Sequence, residues 1–146
     1  MKVDFYHLTA RPLERVLPSI CDKVLADGGR VLIVAADEAQ RAALDRLLWT
    51  YAPDSFLPHA CLGAGDDETQ PVLIAPDVNA ANRARHVALA DGEWRDDALD
   101  FDRAFLFFDE SRVKPARAAW KSLADRDNVE RRYWKQNDAG RWEQAA

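Results

Sequence analysis

Apolar positions along this chain switch between continuous short runs and helical spacing, and each switch marks an element. Residues 3–8 are a short strand. Pro12 opens a helical segment to about Ala26, with Val16, Leu17, Ile20, Val24 and Leu25 near the i, i+3, i+4 spacing. Pro18 falls inside it and predicts a kink or a late start. Asp27-Gly28-Gly29 ends it. Residues 30–36 (Arg-Val-Leu-Ile-Val-Ala-Ala) then form a continuous β-branched run, the pattern of a strand buried on both faces. Asp37 caps the next helix, with Gln40 at the capping-box position. The apolar stripe of that helix is Ala43, Leu44, Leu47, Leu48 and Tyr51. Residues 72–75, 86–89 and 104–108 are three further apolar runs, and the last precedes a helix over 110–123. The turn Asn137-Asp138-Ala139-Gly140 predicts a terminal hairpin over 132–143.

Strands alternating with helices predict an α/β chain: a single Rossmann-like domain over residues 1–146, with a mostly parallel central sheet and helices on both faces. No internal repeat or low-complexity tract interrupts it. Two stretches read as mobile loops, 63–70 and 90–102. The second carries six acids against one arginine, the composition of a solvated surface segment.

Composition narrows the class. Apolar residues make up 48% and charged residues 31%, which is globular. No apolar run approaches the roughly 20 residues of a membrane span, and the first residues lack the plan of a secretory signal. A cytoplasmic protein without membrane contact is expected. Cys21 and Cys61 form no C-x-x-C pair, and His7, His59 and His86 stand far apart, so two reduced thiols and no metal are expected. Net charge is −5 but uneven: residues 111–141 hold nine basic and four acidic side chains, leaving −10 for the remainder. A local basic face on an acidic body suits a small anionic partner better than a duplex.

Chemistry of its own is not expected. The turn after the first strand, Thr9-Ala10-Arg11-Pro12, has no glycine to bring backbone amides onto a phosphate. The turn after the second, Asp37-Glu38, would repel an anion. No phosphate-loop or nucleophile-elbow pattern occurs, and acid pairs such as Asp66-Asp67 and Asp96-Asp97 sit in polar loops. No catalytic residue and no cofactor is therefore assigned. A small nucleotide-binding enzyme on the same fold is the alternative, because the fold class often takes nucleotides at its strand ends.

Two constellations read as docking sites. Trp49 points off the stripe of its helix, and Phe56 lies in a Pro-flanked loop, so the two form an apolar patch or tuck into the domain edge. In Arg117-Ala118-Ala119-Trp120-Lys121, positions 117, 120 and 121 share a helix face. Two cations beside an indole suit a peptide carboxylate with an apolar neighbour, or a single-stranded base. Equally, Trp120 belongs to the core and the cations are solvated.

On these stretches the chain resembles the chi subunit of bacterial DNA polymerase III over nearly its whole length. Asp4-Phe5-Tyr6-His7-Leu8 looks like that family's first strand, and Arg30-Val31-Leu32-Ile33 with Asp37-Glu38 and Gln40 like its second strand and next helix start. The most specific match is Leu48-Trp49 with Ser55-Phe56-Leu57-Pro58-His59; Val72-Leu73-Ile74-Ala75 and Arg117-x-x-Trp120-Lys121 fit as well. The resemblance implies a replication adaptor without catalysis. Its implied partners are the acidic C-terminal tail of single-stranded DNA-binding protein, on Arg117, Trp120 and Lys121 with Leu106 near the apolar pocket, and the psi subunit or clamp loader, on Trp49 and Phe56. It implies a monomer within a heteromeric complex that meets DNA only indirectly. The position of Trp120 is often Tyr in the family, and the 90–102 segment and terminal hairpin differ from better-known members.

Overall fold

The computed structural model describes residues 1–51, 57–78 and 81–146. Its elements are β1 (Lys2–His7), α1 (Leu13–Ala26), β2 (Val31–Val34), α2 (Glu38–Thr50), β3 (His59–Cys61), β4 (Val72–Ala75), β5 (His86–Leu89), β6 (Arg103–Phe108), α3 (Val113–Ser122), β7 (Glu130–Gln136) and β8 (Trp142–Gln144). Single 3-10 turns occupy Asp67–Thr69, Asp96–Asp100 and Glu110–Arg112. Among the described residues the strands form one eight-stranded sheet in the order β3-β4-β2-β5-β6-β1-β7-β8. Every pairing is parallel except the antiparallel β7–β8 edge. The expected α/β class and mostly parallel sheet are what the chain adopts.

The faces of the sheet follow from the two-residue period of a strand. Tyr6, Ile33, Ile74, Phe105 and Phe107 face α1 and α2, which bury Val16, Leu17, Ile20, Leu44 and Leu48 against them. Val3, Phe5, Leu32, Leu106 and Phe108 face the other way, toward Ala116, Ala119 and Leu123 of α3. Phe5, Phe105, Phe107 and Phe108 are essentially fully buried, each contributing about 1.5–3 kcal/mol of hydrophobic stabilisation.

Several local expectations meet the structure differently. α1 begins at Leu13 and runs on through a buried Pro18, so no late start occurs. Asp37 caps α2 by accepting from the Gln40 amide, but the Gln40 side chain donates to the Ala90 carbonyl instead of returning to the cap, because β5 ends beside it. Ala43 is exposed; only Leu44 and Leu48 of α2 are fully buried, with Leu47 and Tyr51 half-buried. The last helix starts at Val113, preceded by a 3-10 turn that Asp109 caps through the Ser111 amide. Residues 90–102 are not merely solvated. Ala90, Ala98 and Phe101 are buried, and Trp94 stacks on Phe5 at 6.4 Å, so the segment covers the sheet beside α3 while Glu93, Asp96, Asp97, Asp100 and Asp102 face outward and Asp91 turns in to Arg95. Burial pushes the Asp91 carboxyl up, but Arg95 and the amides of Ala36 and Glu93 outweigh it and hold it below the usual range.

β3 escaped the sequence pattern because three residues are too short to show a period. Among the described residues no helix is long and apolar enough to cross a membrane, and no three His, Cys, Asp or Glu side chains converge as metal ligands would. The two thiols are free. Burial pushes Cys21 up to about 12, and Cys61, half-buried, is raised as well. A thiol-specific reagent at neutral pH is therefore expected to label Cys61 slowly and Cys21 only on unfolding, which mass spectrometry of timed samples will check. Labelling of both at one rate would contradict the burial of Cys21.

Candidate protein-docking site

α3 presents a groove of about 380 Å³ lined by His7, Arg117, Trp120, Tyr133, Lys135, Ala145 and Ala146. Its floor is aromatic. Phe5, fully buried on β1, receives Trp120 edge-on at 5.2 Å and stacks with Tyr133 at 6.3 Å, while Trp120 and Tyr133 meet edge to face at 5.7 Å. Trp120 is thus half in the core and half in the groove, because α3 packs its Ala116 and Ala119 side flat on the sheet and the indole falls at the margin. Arg131 covers it: the guanidinium lies 4.1 Å from the ring centroid and donates to the Trp120 carbonyl at 2.5 Å.

The rim is cationic. Arg117 and Lys135 are exposed and line the groove from opposite sides, on α3 and β7. Among the described residues neither has an ion-pair partner, so both charges face solvent. Burial raises the Tyr133 phenol, Arg117 pulls it back and Glu110 raises it again, so its O–H stays available as a donor. His7 is buried beside Phe108, with Tyr133 Oη 3.3 Å from Nδ1. The Glu110 carboxylate approaches Nε2 to 2.8 Å without hydrogen-bonding alignment.

The residues singled out in the sequence separate here. Arg117 and Trp120 come together in the groove. Lys121 is exposed on the same helix but does not line it. Leu106, on β6, has no exposure and belongs to the core beneath, so it supports the floor and offers no surface of its own. Tyr133, Lys135, His7 and Arg131 were missed. The signal was the alternation Arg131, Tyr133, Lys135 along 130–136, which puts the three on one strand face. What the pattern left open is that this strand pairs in parallel with β1, next to α3.

Trp49 stands at the other end of the molecule from α3. Trp49 lies on the outer face of α2 at 55% exposure, edge-on to His59 at 5.1 Å. Phe56 lies outside the described residues.

At the strand ends, where this fold class takes nucleotides, the amides of Thr9, Ala10 and Arg11 all converge on a single acceptor, Oε1 of Gln136, at 2.9, 3.0 and 3.0 Å. Three successive N–H groups aimed at one point make an anion-binding nest, and here a side chain from β7 already occupies it. The adjoining crevice, about 550 Å³, is of mixed charge, with Arg11 and Arg112 against Glu14, Asp91 and Asp109.

Comparison with known proteins adds the following. The profile of the family described as "DNA polymerase III chi subunit, HolC" matches residues 1–129. The DNA polymerase III subunit chi of Pseudomonas aeruginosa is 37% identical over 76 residues, 50% of this chain and 52% of that protein. The subunit of the same name from Escherichia coli (strain K12) is 32% identical over 93 residues, 64% of this chain and 61% of that protein. The matches thus span half to three fifths of those relatives' own lengths, and the family match ends just before β7.

Proposed function

The chain belongs to the DNA polymerase III chi subunit family, and from that premise we propose that it is a non-catalytic adaptor of the replication machinery, acting in the cytoplasm as a monomer within a heteromeric complex. It holds the acidic C-terminal tail of single-stranded DNA-binding protein in the α3 groove and joins it to the clamp loader, by way of psi or a replacement, through Trp49 and Phe56.

The observation that carries the tail reading is the pairing of two unengaged cations with an aromatic floor in one groove. A peptide carboxylate takes a charge-assisted hydrogen bond from Arg117, Lys135 takes a further negative charge, and Trp120 and Tyr133 cover an apolar side chain. Leu106 supports this floor from beneath, and Lys121, outside the groove, steers an acidic chain from a distance.

Fluorescence anisotropy with a labelled synthetic peptide of that tail is the test. Arg117→Ala is expected to weaken binding by about 1–3 kcal/mol, and Lys121→Ala by less than 1 kcal/mol, the scale of an exposed charge. Raising salt should weaken the wild type and leave Arg117→Ala with a shallower dependence. Peptide affinity unchanged in Arg117→Ala would sink the assignment. For the other contact, co-purification of a Trp49→Ala, Phe56→Ala double mutant with the clamp loader should fall sharply, and full retention by a folded mutant counts against it.

The alternative reading, a small nucleotide-binding enzyme, has against it the Gln136 oxygen in the β1–α1 nest and the carboxylates of the adjoining crevice. Nucleotide titration of the ¹⁵N-labelled chain distinguishes the two: saturable shifts of the Thr9, Ala10 and Arg11 amides would favour the enzyme.

A further inference from the structure

On the opposite side of the sheet from α3, where α1 ends and β5 and β6 begin, lies a separate cavity of about 270 Å³. Tyr6, Lys23, Asp27, Gly29, His86, Arg103 and Phe105 contribute to its walls.

The polar lining is rich in donors and poor in acceptors. His86 and Arg103 are direct cross-strand partners, and both lean on Phe105: the imidazole stacks at 6.3 Å and the guanidinium lies 4.8 Å from the ring centroid. Arg103 donates to Asp4, but Asp4 also takes the guanidinium of Arg132, so that group of three carries one positive charge in excess. Lys23, in the last turn of α1, adds a second cation and has no ion-pair partner among the described residues. Asp27 is the one carboxylate in the wall. The Tyr6 phenol, nine-tenths buried, is pushed up to about 12 by burial and by Asp4 against the pull of Arg103 and Arg132, so it keeps its proton.

His86 also stands in the wall. Its Nδ1 is buried without a hydrogen-bond partner among the described residues. Burial and Arg103 hold the imidazole below its usual range, against Asp102 and Asp27. Nδ1 has no accessible surface, so the ring can meet a ligand only through its other edge. Gly29 shapes the mouth: a Cβ there would stand 2.8 Å from Val24 Cγ1 and 3.5 Å from His86 Cε1, so only glycine lets the chain pass this close.

We infer that this cavity binds a small oxyanion, a phosphate or phosphomonoester group, held by Lys23 and Arg103 with Tyr6 and His86 donating. The excess of positive charge selects an anion, and several donors in one wall select one with more than one acceptor oxygen. The site is on the other face of the sheet from the α3 groove, so it stands or falls independently of the tail reading.

The experiment is a titration of the full chain, ¹⁵N-labelled, with inorganic phosphate and separately with adenosine monophosphate, against potassium chloride at matched ionic strength. Saturable shifts of the Val24, Gly29, His86 and Arg103 amides are expected. Lys23→Met keeps the apolar stem and His86→Phe keeps the stack on Phe105, so both variants should fold. Each is expected to weaken phosphate binding about tenfold, the loss of one charge-assisted contact. Tighter binding of the nucleotide identifies a phosphomonoester as the ligand, and equal binding identifies free phosphate. Shifts that do not saturate, or an affinity unchanged in both variants, overturn the proposal.

Discussion

Asp4→Ala is expected to remove about 3–5 kcal/mol of stability, the usual result of deleting one partner from a buried ion pair. Asp4 is fully buried in the middle of the sheet, on β1 between β6 and β7. Its carboxylate is satisfied from both sides: Arg103 Nε donates at 2.8 Å, Arg132 Nε at 2.8 Å, and the Trp134 indole at 2.9 Å. With alanine, two guanidinium groups and an indole N–H lose their acceptor together. Both arginines are about a quarter to a third exposed, so water recovers part of the loss and places the cost toward the lower end. Asp4→Asn keeps one acceptor oxygen and should lose about half as much. Urea unfolding of the three proteins will decide, and a loss below 1 kcal/mol for Asp4→Ala would show that the network is dispensable. The difference should survive high salt, because a buried pair is little screened.

Gln136→Ala is expected to cost about 2–3 kcal/mol, since it leaves the three amides of the β1–α1 nest without their acceptor. The carboxamide also fastens the terminal hairpin to the body. Thr9 Oγ1 also donates to the Gln136 backbone carbonyl at 3.0 Å, a bond the substitution keeps, and the hairpin turn packs so tightly on Arg11 that a Cβ on Gly140, at φ +79°, would stand 2.5 Å from its Nε. The substituted oxygen matters more than the nitrogen, because Nε2 of Gln136 has no hydrogen-bond partner among the described residues. Gln136→Glu therefore keeps every bond and removes an unpartnered donor, while its charge meets three N–H groups at the start of α1. It should stay close to wild-type stability at pH 7. Bonds from three amides would depress the folded pKa of such a carboxyl. Its contribution is then present above the unfolded value, about 4.3, and disappears as pH falls through the folded one. Unfolding curves at pH 7 and at low pH test this, and a glutamate as damaging as alanine at pH 7 would refute the nest geometry.

Both residues explain how far the sequence could be read. The strand at 2–7 was evident from its apolar content, yet Asp4 within it gave no sign of its partners, which lie about 100 and 130 positions away on strands that only the sheet order brings alongside. The absence of glycine in Thr9-Ala10-Arg11-Pro12 argued against a phosphate loop. The structure shows that those amides do converge, without glycine, on an acceptor from β7. The docking face divided in the same manner. Arg117 and Trp120 share a helix face by spacing alone, and they line one groove. Lys121 shares that face in projection but turns outside, because α3 lies flat on Ala116 and Ala119 and only one flank borders β7.

What the sequence alone determined is everything that depends on neighbours within a turn or a strand: the α/β class, the order of most elements, the cap at Asp37, and the cations and indole of α3. These are local, since hydrophobic periodicity and capping act over a few residues. Only the tertiary structure decided which strands stand side by side. That choice placed Tyr133 and Lys135 opposite Arg117, turned the 90–102 segment into a cover over the sheet, and filled the amide nest with Gln136. The physical reason is that a parallel sheet joins strands through crossovers, so its neighbours are distant in the chain, and their pairing is settled by packing that no short stretch of sequence contains.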